Sequence, residues 1–260
     1  MRKFWIALFA LVPPLAVGFF LWARGVEGLW FPPNASETGS DIDFLFWVIF
    51  AITGITFLGV EIVFAWFLWK YGGREEGGKG VFTHGNHKLE TIWTIIPAGI
   101  LVFLAIFQYG TWEEAKFYSQ APDSPVHARV LGGQFEWRIR YPGEDGVIWS
   151  PDDVEQVNEL HVWKNQPVKI LLESRDVIHS FFIPQMRVKQ DAMPGMKQWV
   201  WFTPVESGEF EIACAELCGW GHYKMRARLV VHETEQDFQD WMARATAAQF
   251  ADTEEAAEEQ

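Results

Sequence analysis

The sequence is poor in cysteine and in basic charge, and it has no internal repeat. Its 260 residues hold 2 Cys and 21 Lys+Arg against 34 Asp+Glu, a formal net charge of -13. Two cysteines permit at most one disulfide and cannot supply the four Cys of a common structural zinc site. No C-x-x-C-H string is present, which excludes covalent haem attachment. No basic patch is present either, which argues against DNA or RNA as a partner. What the chain does have is aromatic residues, 15 Trp and 22 Phe, unusual beside so much acid. The two properties separate along the chain. Residues 1–112 carry 7 Lys+Arg and 8 Asp+Glu, whereas residues 113–260 carry 14 and 26 and so a net charge of -12. An apolar N-terminal part is therefore joined to an acidic, water-facing part.

Three apolar runs fill the first part, at residues 4–23, 44–69 and 91–112. Each has the roughly 20 residues that a bilayer core asks of a helix. The second and third read as a transmembrane hairpin over residues 42–112. The first, within residues 1–25, follows Arg2 and Lys3 and contains Pro13 and Pro14. It reads as an uncleaved signal-anchor or transmembrane helix, with a signal peptide as the alternative, because "RGVEGLW" offers no small-x-small cleavage site. Lys70, Arg74, Lys79 and Lys88 between runs two and three, against Arg24 alone in residues 24–43, place the 70–88 loop in the cytoplasm. Everything after Trp112 then lies outside. Glu61, inside the second run, needs a polar partner there.

The outer part, residues 113–233, reads as all-β. "HARVLGGQFEWRIRYPG", "PVKILLES", "KQWVWFTP", "GEFEIAC" and "RARLVVHE" are short, β-branched and aromatic runs bounded by Gly, Pro or Ser. Such spacing predicts a sandwich or barrel. Residues 234–260 read as a helix capped by Thr234, then a disordered acidic tail, "ADTEEAAEEQ".

Both cysteines fall in "CAELCGWGHYKM", residues 214–225. A disulfide four residues apart would close a very small loop and leave His222 and Met225 unexplained. Thiolate and thioether sulfur with imidazole suit copper, and Met is a poor zinc ligand. A second imidazole must come from elsewhere. His179, in "SRDVIHSFFIPQMRVKQDAMPG", stands in a loop-like segment of polar and aromatic residues, although a lone His is more often a core residue. His127, His161 and His232 lie in or beside strands and read as structural or exposed.

"CAELCGWGHYKM", "DVIHSFFIP", "VKQDAMPG" and "LETIWTIIPA" together resemble subunit II of the haem-copper cytochrome c oxidases, over roughly residues 42–232. The resemblance implies a membrane-anchored all-β protein, two or three N-terminal transmembrane helices followed by a cupredoxin-like β-barrel. It implies a dinuclear copper centre, CuA, with Cys214 and Cys218 as bridging thiolates, His179 and His222 as terminal imidazoles, Met225 as weak axial ligand and the Glu216 carbonyl completing the set. The Glu216 carboxylate is similar to one that meets a magnesium ion shared with subunit I. Glu90 matches a glutamate near the mouth of a proton channel in subunit I. Phe135 stands where an electron-accepting Trp is usual, with Trp137 two residues on, and Met196 stands in place of a common Arg. The implied partners are subunit I, other oxidase subunits, membrane lipid and a cytochrome c or membrane-bound cytochrome donor; Asp176 and Asp191, in the segments flanking His179, are expected from their charge to face that donor. The implied setting is the bacterial cell membrane, with the copper domain on the periplasmic side and oxygen reduced to water with proton translocation. A similar small subunit of a nitric oxide reductase is the alternative, and a membrane-anchored copper chaperone a poorer one.

Overall fold

The computed structural model describes residues 2–72, 82 and 84–258, and the chain forms two compact units. Arg74 and Lys79, used above for orientation, lie outside the described residues.

The first unit, Met1–Pro32 with Asp43–Gly110, is helical. It contains α1 (Arg2–Arg24), nearly all of α2 (Gly39–Tyr71), and α3 (His87–Phe107). All three are long and apolar enough to cross a membrane, and none of these apolar windows is buried within the chain. Their exposed Phe, Leu, Ile and Trp side chains suit contact with acyl chains. Rings hold α1 to α2: Phe9 meets Phe64 at 4.7 Å and Phe20 meets Phe50 at 5.0 Å, centroid to centroid. α1 runs unbroken through Pro13 and Pro14. In α2, Thr53 and Thr56 donate to the carbonyls of Ile49 and Ile52, so neither hydroxyl is stranded in an apolar setting. The Asn86 side chain caps α3 by accepting from Lys88 and Leu89, and Glu90 Oε1 reaches back to the Asn86 N–H at 3.1 Å. Glu61 carries an enclosed Oε2 with no partner among the described residues.

The second unit, Pro33–Ile42 with Thr111–Gln260, is the β domain. Among the described residues, ten strands make two five-stranded sheets. One runs β3 (Val154–Val157), β2 (Glu136–Tyr141), β1 (Ala128–Gly133), β5 (Val168–Ser174), β8 (Gln198–Phe202). The other runs β4 (Glu159–Trp163), β10 (Arg226–His232), β9 (Gly208–Cys214), β6 (His179–Ile183), β7 (Val188–Ala192). Most neighbours are antiparallel, but β1–β5 and β4–β10 are parallel, giving the cupredoxin-like barrel. Strict alternation on β2 sends Trp137, Ile139 and Tyr141 into the core, where Val130, Ile170, Leu172, Phe181, Ile212 and Leu229 meet them. Each such side chain contributes about 1.5–3 kcal/mol by leaving water.

Two expectations need correction. The segment around His179 is a strand: β6 pairs with β7 along its whole length and with β9 through Phe181 and Phe182. Four of its five residues are buried, the polar His179 and Ser180 among them, so it lacks the alternation that marks a half-exposed strand. The acidic end is also helical within the described residues, because α5 runs Glu235–Glu258. Ala and Glu are good helix formers, and they extend a helix already nucleated at Thr234. There Thr234 Oγ1 accepts from the Asp237 N–H, and the Asp237 carboxylate accepts from the Thr234 N–H, each at 3.1 Å.

α5 docks through Phe238 and Trp241. Trp241 stacks on His161 at 3.8 Å and 9°. His161 Nδ1 in turn lies 3.0 Å from His232 Nε2. Burial, and then the neighbouring His232, hold His161 down to about 4, although Glu159 opposes this. Burial likewise holds His127 down to about 4. Between pH 6.5 and about 4 the unfolded chain therefore binds protons that the folded one refuses. Stability is full above pH 6.5 and falls on acidification by roughly 1.4 kcal/mol per pH unit for each such histidine. Denaturant melts of the chain should show this slope, and His161→Gln should make it shallower. An unchanged slope would remove His161 as its source.

Candidate metal centre

The two strands that carry the ligands are neighbours. β9 ends at Cys214, β6 begins at His179, and Phe181 pairs with Cys214 across them. The chain then leaves the sheet at Ala215 and returns as β10 at Arg226, through a 3-10 turn at His222–Lys224. Two backbone bonds close this loop: Cys214 N–H to the Met225 carbonyl at 3.1 Å, and Ala215 N–H to the Ser180 carbonyl at 2.9 Å. Loop residues four to eleven apart in sequence thus return to one point.

There the Cys214 and Cys218 sulfurs approach to 3.8 Å. That is far beyond the roughly 2 Å of a disulfide, and both thiols are free and buried. His179 Nδ1 lies 3.9 Å from Cys214 Sγ, and these three ligand atoms all fall within 4.8 Å of one another. His222 Nδ1 lies 3.6 Å from Cys218 Sγ, Met225 Sδ lies 3.7 Å from the same sulfur, and the Glu216 carbonyl accepts from Cys214 Sγ at 3.2 Å. All six residues named from the sequence converge. The set of two thiols, two imidazoles, one thioether and one carbonyl is soft and sulfur-rich, and it fits a copper centre.

Electrostatics prepare the thiols unequally. Burial would raise Cys214, but bonds from His179, from the backbone and from His222 outweigh it and bring the thiol down to about 6. Burial and then the Cys214 charge push Cys218 up to about 11. Without a cation the pair keeps one proton, and a metal that takes both sulfurs must displace it.

Asp176 and Asp191 stay partly exposed but bond to strand β6. Asp176 Oδ1 accepts from His179 Nε2 at 2.8 Å, which fixes the tautomer that leaves Nδ1 free towards the sulfurs. Asp176 Oδ2 accepts from the Gln134 N–H at 2.7 Å, and the Gln134 side chain donates to the Cys218 carbonyl at 2.5 Å. Burial would lower His179, yet its bonds to Cys214 and Asp176 raise it. Asp191 accepts from Ser180 Oγ at 2.7 Å and pairs with Lys189 at 3.0 Å. Gln134 is the residue that sequence reasoning missed, since a lone Gln before a strand carries no signal.

Trp137 is fully buried, its ring 5.9 Å from that of His179 and 5.4 Å from that of Phe181. Phe135 is half-buried and covers two glycines of the ligand loop. A Cβ on Gly221 would stand 2.5 Å from the Phe135 ring, and Gly219 has φ of +138°. Glu216 points its exposed side chain outward while its carbonyl faces the sulfurs. Glu90 belongs to the helical unit, at the start of α3.

Residues 131–233 match the family described as cytochrome c oxidase subunit II, periplasmic domain, and residues 25–110 match its transmembrane domain. The alternative cytochrome c oxidase subunit 2 of Bradyrhizobium diazoefficiens is 32% identical, over 82% of this chain and 83% of that one. The cytochrome c oxidase subunit 2 of Thermostichus vulcanus is 30% identical, over 85% and 79%. The crystal structure of the periplasmic domain of subunit II of cytochrome oxidase from Bradyrhizobium japonicum is similar at 27% identity and a TM-score of 0.44, over 49% of this chain and 98% of that one. With its three spanning-length helices, the chain is a membrane protein whose β domain lies outside the cytoplasm.

Proposed function

The chain belongs to the cytochrome c oxidase subunit II family, and from that premise we propose that it is the electron-entry subunit of a haem-copper terminal oxidase in a bacterial cell membrane. It takes electrons from a cytochrome c, free or membrane-bound, on the periplasmic side. It hands them to subunit I, where oxygen is reduced to water and protons are translocated. The observation that carries this reading is the meeting of two free, buried thiols at 3.8 Å between two imidazoles. A structural zinc site needs no thioether, and a disulfide needs no flanking histidines.

Two copper ions would be held by Cys214 and Cys218 together, by His179 and His222 at the ends, and by Met225 and the Glu216 carbonyl as weak ligands. Copper held by these residues would supply single-electron transfer. The chain's part is to keep the ligands still. Asp176 orients His179, Gln134 anchors the Cys218 carbonyl, and strands β6, β9 and β10 fix the ligand spacing. Buried Trp137 and half-buried Phe135 line the approach to His179 and the ligand loop. In this reading the exposed Glu216 carboxylate would share a magnesium ion with subunit I, and Glu90 would stand near the mouth of that subunit's proton channel.

Residues 113–260 carry a net charge of -12, which favours a basic donor. The copper-loaded chain should accept electrons from a reduced basic haem protein. The rate should fall as ionic strength rises from about 10 to about 200 mM, where the screening length drops from roughly 30 Å to below 10 Å. Stopped-flow reduction tests this. A chain that holds copper but accepts no electron would sink the function. A rate independent of salt would sink the freely diffusing basic donor.

A further inference from the structure

The β domain places its most exposed apolar side chains on the loops that carry the candidate ligands. Leu217, Trp220 and Tyr223 are 77%, 79% and 74% exposed, whereas no other large apolar residue of this unit among those described exceeds 58%. Val177 and Ile178, immediately before His179, are exposed as well. Scattered single apolar residues on a surface mean little, but a group of five on two ligand loops marks a contact face.

Trp220 is the centre of this group in chain terms. It lies two residues from Cys218 and two from His222, and is flanked by Gly219 and Gly221. Those glycines let the loop press against Phe135, where a Cβ would collide, so the backbone beneath Trp220 is held. The Phe135 and Trp220 rings meet edge to face, 5.3 Å apart at 69°. Lys224 lies 4.9 Å from the Trp220 ring centroid on the same loop. An indole is thus fixed at its root and open at its tip, joined by short covalent paths to two candidate ligands. Trp137 cannot serve as an outer contact because it is wholly buried, and Phe135, half-buried against Gly219 and Gly221, is less open than Trp220.

We propose that the electron donor docks on Trp220 and that the electron enters through this indole. The inference rests on the electron-transfer reading above and deepens it. The occupant is a small haem protein with a basic rim and an exposed haem edge. Its apolar edge suits Leu217, Trp220 and Tyr223, and its charge suits the net -12 of residues 113–260. The haem iron loses one electron and the copper pair gains it. The indole conducts without net gain or loss of electrons or protons. Exposed aromatic anchors at the centre of an interface commonly dominate its affinity.

The test uses the full chain with its membrane helices, as wild type, Trp220→Leu and Trp220→Phe. Three quantities are read: reduction by a reduced basic cytochrome, reduction by ascorbate, and affinity of the copper-free chain for the oxidised cytochrome. Trp220→Leu should slow reduction by the cytochrome and weaken its binding, each by about tenfold. Reduction by ascorbate should match wild type, and Trp220→Phe should recover most of the binding. Unchanged reduction by the cytochrome, unchanged binding, or an equal loss with ascorbate would each overturn the proposal. A wild-type chain that binds copper but accepts electrons from neither reductant would instead defeat the electron-transfer reading itself.

Discussion

Replacing Cys214 or Cys218 with serine is expected to abolish the shared-electron state completely, while leaving the barrel folded. Both sulfurs are buried, 3.8 Å apart, and each faces its own imidazole. A serine hydroxyl keeps its proton at neutral pH and is a poor ligand for a soft metal, so neither variant can bridge two ions. Serine is close to cysteine in size, and the loop is closed by backbone bonds at Cys214, Ala215 and Met225 that do not involve the sulfurs. The measurement is copper content with optical and electron paramagnetic resonance spectra of each variant, beside circular dichroism of the copper-free protein. Each variant should retain one copper or none, with native secondary structure. The two should also differ. Removing Cys214 takes away a neighbouring negative charge that helps to push Cys218 up to about 11, so Cys218 in Cys214→Ser should react faster with a thiol reagent at pH 8. A serine variant that keeps two coppers and a shared electron would refute the bridging role.

The second large effect is expected at Asp176. Its carboxylate lies 2.8 Å from His179 Nε2 and also accepts the Gln134 N–H. Removing it as Asp176→Ala frees the His179 ring to turn, leaves its buried Nε2–H without an acceptor and loosens the segment that steadies the Cys218 carbonyl. Outer partners of metal-bound histidines are typically worth about 10–100-fold in metal affinity, and a loss of that size is expected here. Asp176→Asn keeps an oxygen that can accept from Nε2–H, so it should lose less affinity and shift the optical spectrum only slightly. Chelator competition measures both. Equal, small losses in the two variants would show that Asp176 acts through surface charge alone. Its reading from the sequence as a donor-facing acid came from its position near His179. The geometry gives it a nearer task.

The candidate copper site could be picked out because its side chains are local: Cys214, Cys218, His222 and Met225 lie within twelve residues, while the Glu216 carbonyl came from the family resemblance. His179, thirty-five residues away, was found only through the flanking "DVIHSFFIP", and its strand was not. β6 is buried at four of its five positions, two of them polar, so periodicity could not separate it from a loop of polar and aromatic residues. The strand β3, at Val154–Val157, was missed for a different reason, and β4, at Glu159–Trp163, was touched only through His161. Each is short, and acids interrupt both, while their pairing partners β2 and β10 supply the missing order. Residues 33–38 carried no signal at all. Yet the Ala35 N–H donates to the Gln185 carbonyl, the Ala35 carbonyl accepts from Val205, and Ser36 Oγ donates to the Met186 carbonyl, which stitches the segment before α2 into the barrel. Such contacts belong to tertiary structure, and no window of sequence contains both sides of them. The three apolar runs were legible for the opposite reason, since a bilayer asks only for length and composition.

The account stands or falls on whether one electron is shared between two metals in this loop. The decisive measurement is metal analysis of the copper-loaded full chain together with its electron paramagnetic resonance spectrum after partial oxidation. Two coppers per chain and hyperfine structure from two equivalent copper nuclei are expected. One copper per chain, zinc in its place, or hyperfine structure from a single nucleus would contradict this.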